Sequence, residues 1–118
     1  MPETPGTKNL INRKRLDLLK SSCGIVNIGR QSTMDYDALC EKLRANKIAG
    51  AILDVFSPEP IDLNSKLWEV PNLIITPHVS ADDGENYVRL TLDLFIKNLQ
   101  LFISNKKLVN QIDKIFGY

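Results

Sequence analysis

The segment IAGAILDVF, residues 48–56, constrains the fold of this chain more than any other, because nearly every position of this strand-length run is apolar. A strand of this kind is typical of a parallel sheet in which helices cover both faces. Two shorter apolar runs accompany it along the chain, IVNIG at residues 25–29 and LIITPH at residues 73–78. The three runs predict three strands of one parallel sheet.

Helical patterns separate and follow these strands. Asn12 can cap a helix that runs to about Lys20, and Asp35 can cap the next helix, which ends near residues 45–47. A final long amphipathic helix is expected from about Gly84 to Ser104. Apolar residues recur at helical spacing in the last two of these helices. In the helix after Asp35 they are Tyr36, Leu39, Cys40 and Leu43, and in the final helix they are Val88, Leu92, Phe95, Leu99 and Phe102. Strand alternating with helix predicts an α/β fold with a parallel sheet and right-handed crossovers.

The composition excludes several classes of partner. Fifteen Lys and Arg nearly balance 14 Asp and Glu among 118 residues, so no bulk charge favours nucleic acid or an anionic membrane. No apolar run approaches the roughly 18–20 residues of a membrane span, and the N-terminus has no signal-peptide core. Cys23 and Cys40 lie outside metal-binding spacings and fit a reducing compartment. We therefore expect no metal, no membrane partner and a cytoplasmic location.

Polar residues follow each predicted strand. In an open parallel sheet, ligands bind at the carboxyl ends of the strands, where this sequence places Arg30, then Asp54 and Glu59, then His78. An arginine fork suits a carboxylate, and a histidine can donate or accept a proton near neutrality. A glutamate beside that histidine favours the imidazolium and fixes its tautomer. These three residues indicate a carboxylate anchor and a general acid/base, and Asp54 is placed to orient a polar ligand group.

Each of these residues also has an ordinary structural interpretation. A lone histidine is more often structural than catalytic, and an arginine after a glycine is more often a member of a surface ion pair. Glu59 lies in a turn between two prolines, where a side chain is usually exposed, and Asp54 is able to cap a turn. The functional interpretation gains weight because all four residues are predicted to lie at one edge of the sheet.

The motifs that carry these residues resemble a known family. GIVNIGR, followed by Asp35, then AGAILDVFSPEP and LIITPH, resembles the later signature motifs of the D-isomer-specific 2-hydroxyacid dehydrogenases, in order and at matching separations. The first residues, MPETPGTKNLIN, and the last segment, ADDGENYVRLTLDLFIKNLQLFI, are similar to neighbouring parts of the same family. The resemblance covers essentially the whole chain. It implies a partial doubly wound (Rossmann-like) parallel sheet of three strands, with flanking helices and a long C-terminal helix.

The resemblance also implies a role for each site residue. Arg30 matches the arginine that holds the substrate carboxylate and polarises the keto group, and His78 matches the histidine that gives a proton to the carbonyl oxygen. Glu59 matches the glutamate paired with that histidine. The positions expected to line NAD or NADP are Ile28, Gly29, Asp54, Ser80 and Ala81, with Asp54 near the nicotinamide carboxamide. The implied substrate is a small 2-oxoacid or 2-hydroxyacid, of the kind used by glyoxylate and hydroxypyruvate reductases.

Two features of that family are missing from the sequence. No G-x-G-x-x-G motif for the pyrophosphate occurs, and no separate substrate domain is present. We therefore expect residues 1–83 to be the C-terminal half of a nucleotide-binding domain. Residues 84–118 would form a helix and tail that return to the substrate domain. The chain alone is expected to be inactive. Its residues 25–28 are expected to expose an edge that a missing fourth strand normally pairs with, which favours association or swapping. The full-length enzyme is expected to be a homodimer.

Two other interpretations stay open at this stage. The C-terminal-binding-protein corepressors resemble the same family and retain similar motifs, so a cofactor-sensing interaction protein is an alternative to an enzyme. A truncated product without activity is a second alternative. Glu59 stands where the formate dehydrogenase branch carries glutamine, which argues against formate as the substrate.

Overall fold

The structure, a computed structural model, describes residues 2–116. Its α-helices and strands are helix α1 (Arg13–Asp17), strand β1 (Gly24–Asn27), helix α2 (Tyr36–Arg44), strands β2 (Gly50–Leu53) and β3 (Leu73–Ile75), and helix α3 (Tyr87–Ile103). Two short 3-10 helices, Gln31–Thr33 and Lys66–Glu69, lie in the connections. The strands form one parallel sheet in the order β1-β2-β3. The predicted α/β fold with three parallel strands is therefore confirmed, and β1 lies at one edge of the sheet.

The first two helices begin at the residues that the sequence indicates. The Asn12 side chain accepts a hydrogen bond from the backbone N of Arg15 at 3.1 Å, and the Asp35 side chain accepts one from Ala38 N at 2.9 Å. These bonds satisfy backbone N–H groups that have no partner within a helix. Helix α1 ends at Asp17 and is shorter than expected, because the chain turns directly afterwards, with Cys23 N bonded to the carbonyl of Lys20.

Strand β2 is also shorter than the predicted run 48–56. It ends at Leu53, whose register partners Asn27 and Ile75 are the last residues of β1 and β3. All three strands stop at one level, so the chain leaves the sheet after Asp54 and residues 55–59 form an irregular segment. This common level creates the carboxyl edge that the sequence predicts.

The core lies on one face of the sheet. Leu16 of α1, Leu39 and Leu43 of α2, and Leu53 of β2 are fully buried and belong to one apolar cluster. On the opposite face, Val26, Ile52 and Ile74 are register partners and remain 62 %, 38 % and 58 % exposed. The expectation that both faces of β2 are covered is therefore wrong for the described residues, because the packed helices α1 and α2 contribute to only one face.

The chain divides into two compact units, one up to Ser80 and one from Ala81 onward. The second unit contains α3, which covers most of the helix predicted from Gly84 to Ser104. The Asn98 side chain in this unit bonds both backbone groups of Val109, donating to its carbonyl at 3.1 Å and accepting from its N–H at 2.9 Å. Among residues 2–116, no helix is both long and apolar enough to cross a membrane.

Candidate active site

The turn after β1 is organised by a buried asparagine. Asn27 donates through Nδ2 to the carbonyl of Arg30 at 3.1 Å and accepts at Oδ1 from the backbone N of Gly29 at 3.1 Å. The same Nδ2 donates to the hydroxyl of Tyr36 at 3.1 Å. Arg30 thus leaves a closed turn with its guanidinium exposed, and its Nη1 donates to the Gly29 carbonyl at 2.8 Å.

The segment after β2 is held from two directions. Tyr36 donates its hydroxyl to the carbonyl of Val55 at 2.9 Å, and the rings of Tyr36 and Phe56 meet edge to face with centroids 6.2 Å apart. Burial raises the pKa of Tyr36 to about 12, so its hydroxyl stays protonated as a donor. Phe56 N donates to Glu59 Oε1 at 2.6 Å, which closes the turn and leaves the second oxygen of Glu59 available.

That second oxygen meets the histidine. His78 Nδ1 lies 2.8 Å from Glu59 Oε2, and the two side chains are 45 % and 35 % exposed. A carboxylate only accepts hydrogen bonds, so this contact assigns the proton to Nδ1 of His78 and leaves Nε2 for exchange with a ligand. The bond with His78, followed by the bond from Phe56 N, lowers the pKa of Glu59 below its ordinary value. Glu59 therefore stays ionised beside the imidazole.

Asp54, unlike Arg30 and His78, is buried beneath the surface of the site. Its side chain is only 1 % exposed, and Oδ1 accepts from Thr76 Oγ1 at 2.5 Å and from Val79 N at 2.9 Å. Oδ2 accepts from Ser80 N at 2.9 Å. Hydrogen bonds from Ser80 and Thr76 hold the pKa of Asp54 far below its ordinary value. The carboxylate is therefore ionised and engaged with the segment that carries His78.

The structure brings three of the predicted site residues together. Arg30, Glu59 and His78 line one cleft of about 380 Å³. Glu59 and His78 also border a more apolar cleft of about 600 Å³, whose other lining residues are Phe56, Pro60, Ile61, Trp68, Ile75 and Pro77. A polar cleft with a cation, an acid/base pair and an adjoining apolar space can bind a small carboxylic acid.

The remaining predicted residues lie near the same edge or beyond it. Ile28 is 58 % exposed and precedes Gly29 in the turn after β1. Ser80 is exposed and is tied to Asp54 through its backbone. Ala81 is exposed and begins the second compact unit, so it is described with that unit. The residues from 2 to 116 contain no cluster of three or more His, Cys, Asp or Glu side chains suited to a metal ion.

Three residues that organise the site escaped the sequence-based reasoning. Asn27 interrupts an apolar run of strand length, although asparagine is depleted in strands. This exception is the one sequence signal that could have indicated a role for Asn27 in the site. Tyr36 was assigned to the apolar stripe of α2, and the partner of its hydroxyl depends on tertiary structure. Thr76 precedes a proline at the end of β3, and nothing in its local sequence indicates that its hydroxyl meets Asp54.

Comparison with known proteins gives one consistent family. The profile of the D-isomer specific 2-hydroxyacid dehydrogenase, NAD binding domain, matches residues 1–80. Glyoxylate/hydroxypyruvate reductase B from Pectobacterium carotovorum is 42 % identical over 85 residues, which make up 72 % of this chain and 27 % of that protein.

Solved structures agree over the whole chain. A D-isomer specific 2-hydroxyacid dehydrogenase from Xanthobacter autotrophicus, in complex with NADPH and MES, is 33 % identical with a TM-score of 0.90, covering 100 % of this chain and 48 % of that one. An NADPH-dependent glyoxylate/hydroxypyruvate reductase from Sinorhizobium meliloti, in complex with NADP and sulfate, is 30 % identical with a TM-score of 0.89, covering 100 % and 38 %. This chain spans less than half the length of each of these three proteins. With the profile match over residues 1–80, these similarities show that the chain belongs to the D-isomer-specific 2-hydroxyacid dehydrogenase family.

Proposed function

We propose that this chain is the C-terminal portion of an NAD(P)-dependent oxidoreductase that transfers a hydride between NAD(P)H and a small 2-oxoacid or D-2-hydroxyacid. The observation that carries the proposal is the 2.8 Å contact between His78 Nδ1 and Glu59 Oε2, on a cleft that Arg30 also lines. Family membership and the NADPH- or NADP-bound similar structures support the same activity.

In this proposal the three side chains share the chemistry of the carbonyl group. His78 gives a proton from Nε2 to the carbonyl oxygen during reduction, and in the reverse direction takes it back from the hydroxyl. Glu59 stabilises the imidazolium through Nδ1 and keeps the ring oriented. Arg30 uses its guanidinium donors for the substrate carboxylate, since one contact to the Gly29 carbonyl leaves most of its five N–H groups available.

The residues at the carboxyl edge fit the nicotinamide end of a dinucleotide. We assign that role to Ile28, Gly29, Asp54, Ser80 and Ala81 on the family resemblance. Exposed apolar surface at Ile28 suits a ring face, whereas the Asp54 carboxylate is buried and already accepts hydrogen bonds from residues 76–80. When bound, the nicotinamide supplies or accepts the hydride. The sequence contains no G-x-G-x-x-G, so its own residues provide no such anchor for the pyrophosphate.

We expect the isolated chain to bind cofactor weakly and to show no turnover, because it offers only part of a dinucleotide site. Calorimetry with NADH and NADPH measures the affinity directly, and micromolar binding would contradict this expectation. For the full-length enzyme we propose a homodimer, as the family resemblance implies. In the isolated chain, the unpaired side of β1 at the edge of the described sheet favours association with another strand.

A chimeric enzyme tests the activity. This chain would replace the matching portion of the Sinorhizobium meliloti reductase, to which it is similar along its whole length. We expect the chimera to oxidise NADPH with glyoxylate, and His78→Ala to lower kcat by about 10²–10⁴-fold, the usual contribution of a general acid/base. Glu59→Ala should lower kcat less, and Arg30→Lys should mainly raise KM.

Control variants and cofactor binding make the result interpretable. Glu85→Gln changes an exposed residue of the second unit and should leave turnover unaltered. Quenching or enhancement of NADPH fluorescence establishes that each chimera is folded and binds cofactor. A chimera that binds NADPH without turning over glyoxylate or hydroxypyruvate, or that is insensitive to His78→Ala, would refute the proposed enzyme. Binding without turnover is the result expected for a corepressor-like, cofactor-sensing protein.

A further inference from the structure

The segment that carries His78 reverses sharply after β3. Thr76 is still paired with β2, since its N–H donates to the Leu53 carbonyl at 3.0 Å, whereas His78 N already turns back to the Thr76 carbonyl at 3.1 Å. His78 has φ 56°, in the left-handed region that residues with a Cβ seldom adopt. Such a conformation persists only where surrounding contacts determine it.

One carboxylate supplies those contacts on both sides of the histidine. Asp54 accepts from the hydroxyl of Thr76, two residues before His78, and from the backbone N–H groups of Val79 and Ser80, one and two residues after it. All three donors lie within 2.9 Å of a carboxylate oxygen, and the Asp54 side chain is 1 % exposed. Water cannot readily replace these donors at a buried acceptor.

Asp54 is itself rigidly placed. Its backbone N donates to the Asn27 carbonyl at 3.0 Å, which continues the pairing of β1 and β2 by one residue. The carboxylate is therefore fixed relative to the sheet, and its hydrogen bonds fix the 76–80 segment relative to the sheet as well. Glu59, five residues further along the same chain segment, holds the imidazole ring at Nδ1.

We propose that Asp54 and Thr76 act as positioning residues for His78, with the Asp54 carboxylate clamping residues 76–80 so that the imidazole is held on Glu59 with its proton on Nδ1. The relevance of this clamp to catalysis rests on the function proposed above. Its effect on the ring of His78 does not depend on that function, because the chain itself contains all the residues involved. The two carboxylates after β2 thus have different partners. Asp54 binds residues on both sides of His78, and Glu59 binds the imidazole ring of His78.

The chain offers an unusually direct readout, because His78 is its single histidine. The ring ¹⁵N chemical shifts of a histidine-labelled sample report which nitrogen is protonated in the neutral form. The contact with Glu59 predicts that the Nδ1–H tautomer dominates in the wild-type chain. Glu59→Ala removes the acceptor and should abolish that dominance, which calibrates the measurement.

Two near-isosteric substitutions test the clamp. Asp54→Asn replaces the carboxylate by an amide, and Thr76→Val removes one hydroxyl donor without a change of shape. In both variants we expect the Nδ1–H tautomer of His78 to fall from the dominant form to a minority. Thr76→Ser restores a hydroxyl and should restore the wild-type tautomer, an outcome that loss of packing alone does not predict.

Each test variant has a matched control in the first unit. Asp35→Asn changes another aspartate that accepts a backbone N–H, from Ala38 at 2.9 Å, and Thr33→Val removes another buried hydroxyl, which donates to the Arg30 carbonyl at 2.7 Å. Neither residue touches the 76–80 segment in the described bonds, so both controls should keep the Nδ1–H tautomer.

The proposal is overturned if the wild-type chain lacks a dominant Nδ1–H tautomer, or if folded Asp54→Asn and Thr76→Val chains keep it. Should Asp54→Asn fail to fold, the comparison of Thr76→Val with Thr76→Ser decides alone. The measurement needs no cofactor or substrate, so an inactive chimera with an intact tautomer response would reject the proposed function and leave the clamp standing.

Discussion

Helices α2 and α3 carry similar apolar stripes, but the stripe of α2 is buried and that of α3 is exposed. In α2, Leu39 and Leu43 are fully buried in the core of the first unit. In α3, which belongs to the second unit, Phe95 and Leu99 remain 61 % and 45 % exposed, and no residue of the helix is buried. A period of 3.6 residues therefore predicts a helix and its apolar face, but it does not identify what packs against that face.

The two helices also differ in the segments that their polar side chains contact. Helix α2 is tied to other elements through the Tyr36 hydroxyl and through an ion pair of Lys42 with Asp17 at 2.7 Å. The side-chain bonds of α3 join residues of the second unit, such as the pair Arg89–Asp93 at 3.6 Å with i,i+4 spacing and the two bonds of Asn98 with Val109. A helix in water depends mostly on packing of its apolar face. We therefore expect substitutions in α2 to affect stability far more than the corresponding substitutions in α3.

The largest difference is expected for a leucine-to-alanine pair. Leu39→Ala leaves a cavity in the core and should lower the free energy of unfolding by about 2–5 kcal/mol. Leu99→Ala, at a 45 % exposed position of α3, should lower it by about 0.5 kcal/mol or less. Urea unfolding followed by far-UV circular dichroism and by fluorescence of Trp68, the single tryptophan, measures both. Equal losses would contradict the division between the helices.

A pair of tyrosines gives the next smaller effect. Tyr36→Phe removes a hydroxyl that donates to Val55 and accepts from Asn27, which leaves two buried polar groups without that partner. The expected loss of stability is about 1–2 kcal/mol. Tyr87→Phe changes a residue of α3 that is 66 % exposed, and thermal unfolding should not detect it. A Tyr36→Phe chain as stable as the wild type would show that the hydroxyl contacts add nothing to the first unit.

Substitutions at the N-caps of α2 and α3 should change the free energy of unfolding by smaller amounts. Asp35→Ala deletes the side chain that accepts from Ala38 N, and its cost should be about 1 kcal/mol. Asn86 stands at the equivalent position of α3 without a side-chain capping bond, so Asn86→Ala should cost no more than a few tenths of a kcal/mol. Chemical denaturation of the two variants, fitted with a common m-value, separates these amounts. A costly Asn86→Ala would mean that the exposed bonds of its side chain with Asp83 and Arg89 stabilise α3 as much as a cap does.

Local chemistry made the first unit largely predictable from its sequence. The caps Asn12 and Asp35 are confirmed, since short-range side-chain acceptors determine them. The parallel arrangement of the strands is confirmed as well, because strand and helix patterns alternate along the chain. Strand length was wrong for β2, because it depends on where the neighbouring strands end and not on the apolar run itself.

The sequence predicted the residues of the site and the contact between Glu59 and His78, but not the contacts of Asp54. The carboxyl ends of parallel strands place Arg30, Glu59 and His78 at one edge, and the structure gathers them on one cleft. The three donors that meet Asp54 come from residues at least 22 positions away, so no local pattern could predict them. The role of Asp54 toward a nicotinamide stays a prediction, whereas its contacts with the His78 segment are observed.

The smallest expected effect concerns pH and lies in the contact between Glu59 and His78. Bonds from His78 and from Phe56 N lower the folded-state pKa of Glu59 below the value of about 4.3 expected in an unfolded chain. A lowered pKa means that the ionised carboxylate stabilises the folded state. This contribution is complete well above pH 4.3 and is lost as the pH falls through the folded-state pKa. The sign follows because the unfolded chain binds the proton more tightly.

Glu59→Gln tests this pH dependence. Wild type should be more stable than the variant at pH 7, and the difference should shrink toward zero as the pH falls below about 4. Urea unfolding monitored at Trp68 across this range gives the difference directly. The same substitution made in a His78→Ala background should show a weaker pH dependence, because the largest cause of the lowered pKa is then absent. A difference that grows on acidification would reverse the assigned sign and argue that Glu59 is protonated in the folded chain.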